Sequence, residues 1–235
     1  PSNPLGEVAD LEALAELAHS IGALLVVDNS LLSPVGSQPL KHGADISVSS
    51  ATKAIDGHGR VMGGVLAGSE ELMTQVAIYC NSCGLAMSPF NAWQLLSGVE
   101  TLSLRMEKQF DNALKIAQWL QQQPQVQAVY YTGLPDHPQA ELIRKQQNGG
   151  GIVIGFEVAD QEAAWKVVDG VELFSRTANL GDVRSTITHP WTTTHGRMQP
   201  EEKLAANIRP GLIRLSVGLE HIDDLIDDLQ QALNK

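Results

Sequence analysis

The sequence predicts an α/β fold, and three observations carry that prediction. Short apolar runs flanked by glycines or charges alternate with longer segments whose apolar residues recur every three or four positions. One run, ALLVVDN, is continuously apolar and ends in a charge, as a strand buried on both faces of a parallel sheet does. The composition is that of an ordinary globular chain, 43% hydrophobic and 18% charged over 235 residues, which suits one large domain or two smaller ones.

The elements follow in order. VADLEALAELAHSIG places Leu11, Leu14, Leu17 and Ala18 at helical spacing, with Asp10 as N-cap and Gly22 as stop. ALLVVDN, GADISVSS and GRVMGGVLAG then read as three strands. From Pro89 to about Gln123 the pattern is helical, with Gly98 as a possible interruption. Beyond it, VQAVYYTG, GGGIVIGFEV, VELFSRTANLG and GLIRLSVGLE read as strands with helices between them. The last segment, EHIDDLIDDLQQALNK, is an amphipathic helix with Ile222, Leu225, Ile226 and Leu229 on one face and its clustered acids on a solvated one. This organisation predicts two units, residues 1–105 and a smaller α/β domain at residues 106–235.

Charge excludes some functions. The formal net charge of -11 disfavours nucleic acid and acidic membrane surfaces, which require clustered Lys and Arg. No apolar run reaches membrane-spanning length. Cys80 and Cys83 have the C-x-x-C spacing, but two thiols do not complete a tetrahedral zinc site. They read as free thiols in a reducing compartment, and the expected location is cytoplasmic. The chain opens on PSNPLGEV, inside what reads as a turn, so a missing amino-terminal part is expected.

Chemistry concentrates at two strand ends, where ligands gather in α/β sheets. Asp28 directly follows the apolar run LLVV. A carboxylate there calls for a cationic partner, unless it caps a turn or meets a structural arginine. The second strand ends in Ser49-Ser50, followed by Ala51-Thr52-Lys53. Hydroxyls and backbone N–H groups at such a turn suit a phosphate. Lys53 beside them suits either a phosphate point charge or a nucleophile toward a carbonyl. The P-loop pattern that usually accompanies the first option is absent.

Taken together, these residues match the needs of pyridoxal phosphate: a lysine for its aldehyde, a carboxylate for its ring nitrogen and donors for its phosphate. Arg214, inside the apolar run GLIRLSVGLE, is a candidate for a substrate carboxylate, with an internal salt bridge as the equal alternative.

The segments PSNPLGEVADLEALAELAH, LLVVDNSLLSPVGSQPLKHGADISVSSATK, GHGRVMGG, SPFNAW, ANLGDVRSTITHP and IRPGLIRLSVGLEHIDDLIDDL resemble the cystathionine γ-synthase family, the Cys/Met metabolism group of pyridoxal-phosphate enzymes. The resemblance runs nearly the whole length of the chain. It implies a type I PLP-dependent transferase fold, aspartate aminotransferase-like. Residues 1–105 would then be the carboxyl-terminal part of the large cofactor-binding domain. It implies Lys53 as the Schiff-base lysine, Asp28 on the ring nitrogen, and Ser50 and Thr52 on the phosphate. Arg214 would hold the substrate carboxylate. Asn3 would lie beside ring and substrate, and Asn179 would support the lysine and carboxylate region.

GHGRVMGG and THPWTTTHGR are most similar to the O-succinylhomoserine sulfhydrylase branch, partly through Arg60. The resemblance thus implies γ-replacement by sulfide in methionine biosynthesis, with cystathionine γ-synthase or a cystathionine or methionine γ-lyase as alternatives. It also implies a homo-oligomer, a dimer of dimers. An inactive fragment or assembly module is the alternative of another class. Ala54, Ser49 and Trp191 depart from the family pattern, and Ala54 has no explanation from the sequence.

Overall fold

A computed structural model describes residues 1–235. Helix α1 (Leu11–Ser20) is capped by the Asp10 carboxylate, which accepts the Ala13 N–H at 3.1 Å. The helix ends at Gly22, whose φ of +71° favours glycine. Strand β1 (Val26–Asp28), a short helical turn α2 (Ser33–Gly36), strand β2 (Ile46–Ser50) and strand β3 (Gly64–Gly68) follow. They form a three-stranded sheet in the order β1-β2-β3. β1 runs parallel to β2, with Asp28 opposite Val48, and β3 is antiparallel.

One expectation fails here. The VVD strand is not buried on both faces, and Val26 is 53% exposed. On α1, likewise, only Leu11 and Ala15 are buried. An apolar run reports what a segment can bury, and only the layers around it decide whether it does.

Helices α3 (Glu70–Ser82), α4 (Pro89–Glu100) and α5 (Leu102–Leu120) come next. The break in the expected helical stretch falls at Thr101, which ends α4 and opens α5, and not at Gly98. Gly98 lies inside α4, against the Ile55 carbonyl and the Asp56 backbone, where a Cβ would collide. Its role is close approach of the helix to the turn that carries Lys53. Cys80 and Cys83 are free thiols in the last turn and cap of α3. No helix is long and apolar enough to cross a membrane.

The second sheet uses β4 (Ala128–Tyr130), β5 (Val153–Glu157), β6 (Ser175–Arg176), β7 (Thr186–Thr188) and β8 (Leu212–Ser216) in the order β4-β5-β8-β7-β6. Helices α6 (Ala140–Gln146), α7 (Gln161–Gly170), α8 (Pro200–Ala205) and α9 (Ile222–Leu233) lie between or after these strands, with β6 and β7 joined directly by a loop. Ile154, Phe156, Ile213 and Leu215 are fully buried with Leu225 and Leu229 of α9. Each such side chain contributes about 1.5–3 kcal/mol by leaving water. Residues 105 and 106 lie inside α5, which serves both cores: Leu102 and Met106 pack with Ala51 and Ile55, and Ile116 and Leu120 pack on the second sheet.

The acidic run of α9 is not wholly solvated. Asp228 is buried, and its carboxylate accepts the N–H groups of Glu172, Leu173 and Phe174 at 2.7, 2.9 and 3.0 Å. It thereby satisfies the backbone where the chain leaves α7. Asp228→Ala is expected to destabilise the chain by about 1–3 kcal/mol, because three backbone donors, the one at Phe174 buried, lose their acceptor. A urea titration checks this, and a loss below 0.5 kcal/mol, the ordinary surface value, would contradict it.

Candidate active site

The turn after β2 brings most of the candidate residues together. From Ser50 the chain enters a wide helical turn, Ala51–Ile55, inside which Lys53 leaves the helical conformation (φ -87°, ψ -125°). Arg105 of α5 clamps this turn from beneath. It is buried and donates to the carbonyls of Ala54 (2.7 Å), Ile55 (3.1 Å) and Gly98 (2.7 Å), and through Nε to Thr101 Oγ1 (3.1 Å).

Behind it, the buried Asp56 accepts the N–H groups of His58 (3.3 Å) and Arg60 (2.8 Å) and the Arg60 Nε (3.0 Å). Burial pushes the Asp56 carboxyl up, but these donors outweigh it and hold the group below the usual carboxylate range. Arg60, the residue that carried part of the branch resemblance, is therefore folded onto Asp56. The Gly57 carbonyl accepts the Val183 N–H at 2.7 Å and ties this loop to the second half of the chain. Ala54 is 1% exposed, inside the small core with Ala51, Leu95 and Met106. Close packing there accounts for a small side chain.

Asn3, Asp28, Ser30, Ser50, Lys53 and Leu180 line a cavity of about 420 Å³ above the turn, a volume typical of small-molecule sites. Asp28 Oδ1 accepts the Ser30 N–H (2.9 Å), and Ser30 Oγ accepts the Ser50 N–H (2.7 Å), so a hydrogen-bond chain joins the two strand ends. Lys53 Nζ donates to Asn179 Oδ1 at 3.0 Å. Burial lowers the Lys53 pKa below the ordinary lysine value, and the Arg214 charge lowers it further. Both favour the neutral amine that a nucleophile or base requires.

Thr52 stands apart from this group. Its hydroxyl lies 3.4 Å from the Gly63 carbonyl and accepts the Gly63 N–H at 3.1 Å, and it does not line the cavity.

Arg214 of β8 is 2% exposed. Its Nη2 donates to the carbonyls of Ala178 (2.7 Å) and Asn179 (3.4 Å), while its Nε has no partner. Burial lowers its pKa to about 10. It makes no ion pair with any carboxylate, so the internal salt bridge is excluded as its explanation. A buried guanidinium with an unmet donor is costly unless an anion completes it.

Sequence reasoning missed Arg105 and Asp56. Arg105 left a signal, a charged residue in the stripe that Leu102, Met106 and Gln109 define on α5. Asp56 left none, because its role is to accept donors from its own loop.

An amine of lowered pKa, a carboxylate, a hydroxyl beside strand-end N–H groups and an unmet guanidinium fit a ligand with four matching features. These are an aldehyde, a basic ring nitrogen, an anionic arm and, on the substrate, a carboxylate. Pyridoxal phosphate with an amino acid has all four. Comparison with known proteins agrees. The family described as Cys/Met metabolism PLP-dependent enzyme matches residues 1–234.

The chain is 52% identical to an O-succinylhomoserine sulfhydrylase of Pseudomonas aeruginosa over 99% of its length and 58% of that protein's. A cystathionine γ-synthase from Xanthomonas oryzae superposes with a TM-score of 0.95 at 42% identity, covering 100% of this chain and 61% of that one. A cystathionine γ-lyase from Micromonospora echinospora superposes with a TM-score of 0.96 at 37% identity, covering 100% and 62%. The chain thus spans about three fifths of the length of these relatives, and it has their fold over all of its own. It belongs to the Cys/Met metabolism family of pyridoxal-phosphate-dependent enzymes.

Proposed function

We propose that this chain carries the catalytic lysine of an enzyme that replaces the succinyloxy group of O-succinylhomoserine with sulfide, giving homocysteine and succinate. The observation that carries the proposal is that Asp28 and Lys53 line one cavity while Arg214, its Nε unmet, lies near enough for its charge to act on Lys53. The 52% identity to a protein named O-succinylhomoserine sulfhydrylase supports the choice of reaction.

Pyridoxal phosphate, when bound, supplies an aldehyde for covalent attachment and an electron-withdrawing ring. Lys53 would hold the aldehyde carbon, Asp28 the protonated ring nitrogen, and Ser50 the phosphate; Thr52, turned onto the Gly63 backbone, would support the turn from outside the cavity. Arg214 aims a planar two-pronged donor at the substrate α-carboxylate, and that fixes Cα beside Lys53. Lys53 Nζ, placed beside Cα, would be the base that accepts the α-proton. Its lowered pKa keeps a larger neutral fraction for that task. Asn179 orients the amine through the 3.0 Å contact, and Asn3 borders the ring and carboxylate.

The nucleophile is tested by supplying O-succinylhomoserine with sulfide, with cysteine, and by supplying cystathionine alone. Faster turnover with sulfide is expected; a clear preference for cysteine, or lysis of cystathionine alone, would replace this reading with a synthase or a lyase. Arg214→Lys is expected to raise KM for the amino-acid substrate by roughly 10–100-fold, because an ammonium replaces a bidentate fork. An unchanged KM would remove Arg214 from the carboxylate role.

The proposal includes a homo-oligomer, supported by the exposed apolar side chains Phe90, Trp93 and Leu96 of α4. Sedimentation of the purified protein tests it; a monomer would contradict it.

The cavity lining favours one second reading. It contains no aromatic side chain to stack on a cofactor ring. On that reading this stretch alone holds the cofactor without turnover. A visible absorption band with no homocysteine formed would select it.

A further inference from the structure

The segment THPWTTTHGR, residues 188–197, is not used by the mechanism above, yet it makes a dense set of polar contacts. His189 is 2% exposed, and its ring bonds three partners. Its Nε2 lies 2.7 Å from the Pro210 carbonyl, just before β8. A carbonyl only accepts, so Nε2 carries the proton. Its Nδ1 lies 3.1 Å from Trp165 Nε1 of α7 and 2.8 Å from Thr192 Oγ1. The indole N–H only donates, so Nδ1 is bare and accepts from both. Burial and the nearby Lys203 charge lower the His189 pKa below the ordinary histidine value, despite the Pro210 contact, consistent with this neutral form.

The same segment reaches Arg214 by a second route. Thr188 is the residue opposite Arg214 in the β7–β8 ladder. The Thr193 hydroxyl donates to the His189 carbonyl at 2.7 Å, so the 2.9 Å contact between Thr188 and Thr193 runs from the Thr188 hydroxyl to Thr193. Trp191, which departs from the family pattern, has its ring 4.7 Å from the Lys203 ammonium of α8. That contact pins the outer side of the segment. Arg214 thus has a carbonyl pair on its Nη2 and, as its ladder neighbour, the strand end from which the His189 turn departs.

We propose that His189, as a neutral hydrogen-bond hub with Thr192, Trp165 and the Pro210 carbonyl, is a positioning residue that holds the Arg214 guanidinium at the angle needed to receive a substrate carboxylate. The inference rests on the carboxylate role given to Arg214 above. It assigns His189 no proton transfer and no contact with substrate.

His189→Ala removes three hydrogen bonds at once and can unfold the protein, so the test uses milder changes. His189→Gln keeps an amide donor for Pro210 but loses the acceptor toward Trp165 and Thr192. Thr192→Val removes one donor at nearly constant volume. Each is made in the cofactor-loaded protein and titrated with L-alanine, which carries a carboxylate and no leaving group, and with ethylamine, which lacks the carboxylate. The visible spectrum reports both.

Both variants are expected to weaken L-alanine by about tenfold, the net value of one hydrogen bond, and to leave ethylamine unchanged within twofold. The Arg214 Nε–H signal in 15N NMR is expected to exchange faster with water. Equal weakening of both probes, or an unmoved Arg214 signal, would overturn the inference. If the wild-type protein shows no response to L-alanine, the carboxylate role of Arg214 fails. The Arg214 signal then decides alone: faster exchange in both variants upholds the positioning role of His189, and unchanged exchange overturns it.

Discussion

Lys53→Ala is expected to lose turnover by roughly 10³-fold or more, since general-base catalysis alone contributes about 10²–10⁴-fold. The same variant is expected to lose its visible cofactor band on dialysis, because the covalent anchor is gone. Steady-state rates and the absorption spectrum before and after dialysis check both parts. Normal turnover would remove Lys53 from the mechanism.

A pH dependence accompanies it. The neutral amine is the active form, so rate falls as pH drops through the Lys53 pKa. Burial first, and the Arg214 charge second, place that pKa below the ordinary lysine value. Arg214→Gln removes the second cause. The acid limb of the pH–rate profile is then expected to move to higher pH, toward that of an unperturbed lysine.

Arg105→Ala is expected to destabilise the fold by about 3–5 kcal/mol, an effect of the same rank on stability as Lys53→Ala has on rate. The guanidinium bonds the Ala54, Ile55 and Gly98 carbonyls. Truncation leaves three buried acceptors unmet and opens a void beneath the Lys53 turn. Arg105→Lys recovers only part of the loss, since an ammonium lacks the spread to reach carbonyls on both the turn and α4. Chemical denaturation measures the stability, and cofactor retention reports on the turn. A loss below 1 kcal/mol would mean that the clamp is replaced by water or by backbone shifts.

Much of the candidate site was legible because its chemistry sits at strand ends. Asp28 follows an apolar strand and Lys53 follows another, and residue order alone places both at the same edge of a parallel pair. Arg214 was legible as an anomaly, a cation in an apolar run. Whether it met an internal acid was not legible, because residues 214 and any acid partner lie on different elements, and only packing showed the Nε unmet. Asp228 misled for the opposite reason. In sequence it is one of four aspartates in a nine-residue run, and its inward face appears only when α9 is docked against the end of α7.

By itself the sequence determined the α/β class, the N-cap at Asp10 and the stop at Gly22, the family, and Lys53 as the candidate cofactor anchor. These depend on local spacing and on motifs contiguous along the chain. Only the tertiary structure decided that Arg60 serves Asp56, that Ala54 is small because it is enclosed, that Arg105 supports the Lys53 turn from behind, and that His189 joins Trp165, Thr192 and Pro210. Such support consists of hydrogen bonds between side chains and the backbone of other elements. A backbone carbonyl has no signature in the residue it belongs to, so an acceptor such as Pro210 or Gly98 becomes visible only when the fold carries a donor to it.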